Sequence, residues 1–118
     1  PALLLFSLGR TQASARRLET EDAFNVNVLS SDQEALAWQF ARQGEDKFNG
    51  VPHWEALNGV PVIDSVSAYF VCRKHGLLDG GDHIIVLGEI LDLGTTEAEP
   101  LLFHKGRMCR LAAEGPAA

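Results

Sequence analysis

Residues 76–94 read GLLDGGDHIIVLGEILDLG. This stretch sets the strand pairing around which the rest of the chain is arranged. The opening GLLDGGD supplies the glycines that a tight connection between two strands needs for positive φ. After it, HIIVLGEIL puts Ile84, Val86 and Ile90 on one face of a strand and Ile85, Leu87 and Leu91 on the other. A strand apolar on both faces is covered on both faces. A barrel interior on one side and a partner subunit on the other would do this. Upstream, VIDSVSAYFVCRKHG (62–76) alternates, with Val66, Ala68, Phe70 and Cys72 inward and Ser65, Ser67 and Tyr69 outward. Two such strands joined by a glycine-rich turn form an antiparallel hairpin. His83 stands where that turn ends, as a plain strand-end residue or as a side chain that meets a substrate.

At the N-terminal side, ALLLFSLG (2–9) is an apolar run closed by Gly9 and reads as a buried strand. ASARRLETEDA (13–23) has no Gly or Pro and predicts a short surface helix. FNVNVLS (24–30) alternates, with Phe24, Val26 and Val28 on one face and Asn25 and Asn27 on the other, a half-buried strand. In SDQEALAWQFAR (31–42), Ser31 and Glu34 have capping-box spacing, and Leu36 with Phe40 and Ala37 with Ala41 form an apolar face. Gly44 is the expected helix stop. Residues 45–64 hold four Gly or Pro residues and read as a long loop with one helical turn. EPLLFHKGRMCRL (99–111) adds a last strand or two, and AAEGPAA is a frayed tail. The expected fold is mainly β with short helices packed outside a small antiparallel barrel.

Composition narrows the function classes. The 118 residues have single-domain length, with 46% hydrophobic and 22% charged residues. A formal charge of −6 leaves no basic excess for a nucleic-acid backbone. No run of about 18 apolar residues predicts a membrane span. Cys72 and Cys109 lack CxxC spacing and fit a reduced, cytoplasmic protein. His53, His75 and His104 are dispersed, so metal binding is not expected. No GxGxxG follows a strand, which disfavours a Rossmann dinucleotide fold.

Seven segments carry a resemblance: FNVNVLSSDQEALAWQFA, DKFNGV, Trp54, NGVPVID, YFVCR, GDHIIVLGEI and EPLLFHKGR. In order and spacing they resemble the flavin reductase family from Pro1 to about Leu111, the reductases that supply reduced flavin to two-component monooxygenases. The resemblance implies a split β-barrel, usually a homodimer, that binds FMN or FAD and reduces it with NADH or NADPH for a separate oxygenase. It implies that GRTQAS lies beside the flavin phosphate and ribityl chain, with Arg10 and Thr11 as donors. It implies Lys47 near the ring or phosphate and Phe48 as an aromatic wall. Gly81, Asp82 and His83 match a GDH motif whose histidine lies near the nicotinamide in relatives. Relatives carry two strands and a Ser/Thr-bearing loop ahead of PALLLF, so the chain is expected to be an N-terminally incomplete domain. They also often carry an aromatic residue where this chain reads GRMCRL, around Met108.

On the residues alone, each site keeps a plainer reading. Lys47 is a solvated charge, Phe48 and Trp54 are core or loop anchors with Trp54 assigned to the core, Arg10 pairs with an acid, and Asp82 fixes the turn. Two other functions stay open: a flavin-binding module without reductase activity, and a structural dimerisation domain without cofactor.

Overall fold

The structure, a computed structural model, describes residues 1–42 and 47–112. Gly44 and residues 113–118 of the tail lie outside the described residues. Four strands form one antiparallel sheet: β1 (Leu3–Gly9), β2 (Ala23–Val28), β5 (Ala68–Gly80) and β6 (His83–Thr95), in the order β1-β6-β5-β2. The expected hairpin is its centre. Gly80 pairs with His83, so Gly81 and Asp82 make a two-residue turn. Gly81 has φ 78°, the positive value that a first central residue without a Cβ adopts at no cost.

Register shifts between Val71 and Cys72 and between Lys74 and Gly76 bend this long pair. The curled sheet is the half-barrel of a split-barrel fold. Helix α1 (Ala13–Thr20) packs Ala15 and Leu18 against Phe24, Cys72, Ile84 and Val86 in the main core. Burial pushes the Cys72 thiol up to about 11, so at neutral pH it is a packed, protonated side chain.

Several expectations are corrected. The first strand is not buried throughout: Leu4, Phe6 and Leu8 face the core, whereas Leu3 and Leu5 are 43% and 69% exposed. An edge strand with only one covered face cannot hide both sets of alternate side chains. The first part of strand β5 is buried on both faces, since adjacent Val71 and Cys72 are both 0% exposed. Its second face is covered by residues within 47–64, part of the expected loop. Outside Glu45 and Asp46, which are not described, that segment contains the hairpin β3 (His53–Glu55) and β4 (Pro61–Ile63). Val62 and Ala56 pack there on Val71. Tyr69 turns to the same face, not outward, and meets Trp54 edge-on at 5.2 Å. Trp54 itself is exposed rather than a core residue.

Asn25 and Asn27, on the polar face of β2, fasten the hairpin. Asn25 Nδ2 donates to the Val60 and Pro61 carbonyls at 3.0 and 3.2 Å, and Asn27 Oδ1 accepts the Ile63 N–H at 3.0 Å. Asn58 Nδ2 donates to Asn25 Oδ1 at 2.8 Å and to the Cys72 carbonyl at 3.0 Å. The polar face of this strand is half-buried under the hairpin, with Asn25 and Asn27 directing these hydrogen bonds to protein groups.

Helix α2 (Glu34–Ala41) starts later than the Ser31 box implies. The Ser31 N–H is taken by the Glu99 carbonyl at 2.8 Å. Gln33 occupies the N-cap position, and its side chain accepts from the Ser30 N–H and donates to the Asp64 carbonyl. The last expected strands form as the hairpin β7 (Leu102–His104) and β8 (Arg107–Cys109). Among the described residues, no helix is long and apolar enough to cross a membrane.

Candidate functional site

The residues singled out in the sequence fall in two neighbouring places. The first is the β5–β6 turn. Gly9 pairs with His83 across β1 and β6, which carries Arg10 directly onto the turn. The Arg10 N–H donates to the Asp82 carbonyl at 3.0 Å, and its Nε donates to the Gly81 carbonyl at 2.7 Å. Its guanidinium also pairs with the Asp79 carboxylate, which accepts the Gly81 N–H at 3.2 Å as well. Arg10 and the Gly81 N–H together hold the Asp79 carboxyl below the usual carboxylate range. Thr11 follows Arg10 and is exposed.

His83 projects at this rim with half its side chain in solvent. Its Nδ1 lies 2.8 Å from Asp82 Oδ1. The bond to His83 lowers the Asp82 pKa, so Asp82 is an ionised acceptor at neutral pH. Nδ1 must then be the donor, and in the neutral ring Nε2 presents a lone pair outward.

The second place is a cleft of about 800 Å³ between the two edge strands of the sheet. Phe6 and Leu8 of β1, Phe24 of β2, and Phe40 and Phe48 supply its apolar lining, and Ser14 and Arg17 of α1 add polar groups. Phe48 is held edge-on between Phe40 at 4.9 Å and His53 at 5.2 Å. Gln39 fastens the segment by donating to the Lys47 carbonyl at 2.7 Å, leaving Lys47 half-buried beside the cleft. Leu8 lines the cleft and pairs with Ile84, one step along β1 from the Gly9–His83 pair. One strand therefore runs from the cleft to the turn, at about 3.4 Å per residue.

Residues 1–112 match the family described as flavin reductase like domain. The chain belongs to the flavin reductase-like domain family. Its relatives include a flavin reductase of Pseudomonas putida, 37% identical over 107 residues, covering 90% of this chain and 63% of the relative. The reductase subunit of a flavin-dependent monooxygenase of Rhodococcus jostii is 33% identical over 108 residues, covering 91% of this chain and 55% of the relative. Among solved structures, an NADH:FAD oxidoreductase of Streptomyces globisporus, in complex with NAD and FAD fragments, superposes with a TM-score of 0.90 at 35% identity. That match covers 95% of this chain and 69% of the other. The chain thus spans less than two-thirds of the length of these two curated relatives.

In this flavin reductase-like chain, the structure joins Arg10, Gly81, Asp82 and His83 in one cluster and sets Phe48, with Lys47 beside it, at the cleft. Asp79 was not singled out in the sequence, although an Asp two residues before a turn glycine is an Asx-turn signal. Phe6, Phe24 and Phe40 lie on apolar faces in the sequence and so match core positions. No local pattern marks a core residue that also lines a cleft.

Proposed function

We propose that this protein reduces FMN or FAD with NADH or NADPH and passes the reduced flavin to a separate oxygenase. The observation that carries this reading is the family match over residues 1–112, with relatives described as flavin reductase and as a monooxygenase reductase subunit. The cleft fits a flavin in character. It is concave, largely apolar and aromatic, and within the usual size range of small-molecule sites. When bound, the flavin supplies the redox chemistry as hydride acceptor from the nicotinamide.

The protein orients and screens. Phe48 offers an aromatic wall, Lys47 places positive charge beside it, and Thr11 offers a hydroxyl to the phosphate end. Gly81 and Asp82 shape the rim, and His83 Nε2 accepts a hydrogen bond from an N–H donor such as the nicotinamide carboxamide. Such alignment of donor and acceptor is where binding energy becomes rate. No covalent catalyst is needed. The reading places the protein in the reducing cytoplasm, in keeping with Cys72 and Cys109 as free thiols.

NAD(P)H oxidation followed by absorbance, with FMN or FAD in excess and the intact protein at catalytic concentration, is expected to show turnover that requires flavin. Tight flavin binding without NAD(P)H oxidation would sink the reductase reading and leave a flavin carrier.

The reading includes a homodimer. On the face of the sheet opposite the main core, Leu3, Leu5 and Leu78 are exposed around half-buried Ile85 and Leu87. Directly opposed pairs Leu5–Leu87 and Leu78–Ile85 make this one continuous apolar patch. A second copy of the same face would remove it from water. Light scattering at micromolar concentration should give twice the chain mass, and Leu5→Glu should give the monomer. A monomeric wild type would rule the dimer out.

A further inference from the structure

We propose that Arg10 and Asp79 form a brace that positions the Gly81-Asp82-His83 turn, and that Arg10 is a positioning residue rather than a flavin-phosphate ligand. The inference rests on the reading that this turn faces the nicotinamide nucleotide. Three contacts from one residue converge on the turn. The Arg10 main-chain N–H holds the Asp82 carbonyl, its Nε holds the Gly81 carbonyl, and its terminal nitrogen holds Asp79. Asp79 closes the loop by accepting the Gly81 N–H. Two of the guanidinium's three nitrogens are thereby committed to the protein. A phosphate reaching the same fork would have to displace a carboxylate and a carbonyl.

What the brace restrains is specific. Gly81 lacks a Cβ, and a residue built there would meet nothing within 4 Å, so packing does not hold the turn. Asp82 and His83 are both exposed, and among the described residues the His83 ring is held by its bond to Asp82 Oδ1. Fixing the Asp82 main chain through Arg10 therefore fixes where the carboxylate stands, and the carboxylate decides which ring nitrogen of His83 carries the proton. The chain of action runs from Arg10 and Asp79 to the turn backbone, to Asp82, to the His83 tautomer. Second-sphere partners orient ligand histidines in metal sites by the same logic.

The test uses Asp79→Ala, Asp79→Asn and Arg10→Ala in the intact protein. Three readouts are taken: the ring ¹⁵N signals of His83, assigned with His83→Ala; KM and kcat for the nicotinamide nucleotide; and flavin affinity by fluorescence titration. Wild type should show the Nδ1–H form of His83. Asp79→Ala and Arg10→Ala should move the ring toward the mixture of a free histidine and raise the nucleotide KM on the order of 5-fold, the scale of an exposed ion pair. Asp79→Asn, which keeps an acceptor, should lie between. Flavin affinity should change less than about 2-fold, and melting temperatures should stay close to wild type because the pair is exposed.

Loss of flavin affinity by 10-fold in Arg10→Ala, with the His83 ring signals unmoved, would overturn the brace and make Arg10 a phosphate ligand. If His83→Ala leaves the nucleotide kinetics intact, the reading of the turn as a nicotinamide site fails. The ring signals of Asp79→Ala then decide the brace by themselves.

Discussion

Gly88→Ala should destabilise the fold by about 2 kcal/mol, a drop of roughly 8 °C in melting temperature for a chain of this size. Gly88 lies in β6 opposite Leu4 of β1 and Lys74 of β5, in the middle of the sheet. A Cβ there would stand 2.5 Å from Phe24 Cζ and 3.3 Å from Cε2, with the Cys72 Cβ at 3.4 Å on another side. The Phe24 ring is buried and leans edge-on against Phe6 at 5.5 Å, so moving it disturbs the main core. Gly76 is the internal control. It pairs with Leu87 in the same ladder, but a Cβ at Gly76 meets nothing within 4 Å. Gly76→Ala should stay within about 0.5 kcal/mol of wild type. Phe24→Leu should recover part of the loss in the Gly88→Ala background, because the two residues are in contact and their effects are not additive. Thermal melts of the four proteins check this. Equal melting temperatures for Gly76→Ala and Gly88→Ala would show that the ring yields freely into the cleft.

His83→Ala should lower NAD(P)H turnover on the order of 10-fold while leaving flavin affinity nearly unchanged. With Nδ1 engaged by Asp82, Nε2 is the atom left to meet a ligand. His83→Gln places an amide near the Nε2 position and should retain part of the activity. His83→Asn reaches only the Nδ1 position and should resemble alanine. A strand-end residue without contact to the nucleotide predicts a different outcome, a lower melting temperature with normal turnover per folded molecule. Steady-state kinetics and a thermal melt on the same preparations separate the two. Normal turnover in His83→Ala would remove His83 from the site.

Much of the fold was legible because it rests on local patterns. The hairpin of β5 and β6 follows from glycines between two apolar runs, and β2 from strict alternation of Phe24, Val26 and Val28 with Asn25 and Asn27. The short helices follow from segments free of Gly and Pro. The GDH stretch at the strand start, read with the other ordered segments, pointed to the family. Each signal is carried by neighbours in the chain, and together they suffice for a small antiparallel barrel with helices outside and a turn bearing His83.

Long-range partners emerge only once the chain is folded. Ser31 has the spacing of a cap, but its N–H goes to Glu99, 68 positions away, and the helix begins at Glu34 instead. Asn25 and Asn27 look like a solvent face until Asn58, Val60 and Ile63 are folded onto them. Val71 and Cys72 are both buried because β3 and β4 cover one side of β5 and α1 supports the other. Arg10 resembles a phosphate donor in a one-dimensional reading. Only the pairing of Gly9 with His83 brings it within reach of Asp79, so its partner was set by strand register rather than by any motif. Periodicity reports which face of an element is apolar, because that is a property of consecutive residues. What covers that face, and which polar group answers a given donor, depends on segments that meet only after the chain has folded.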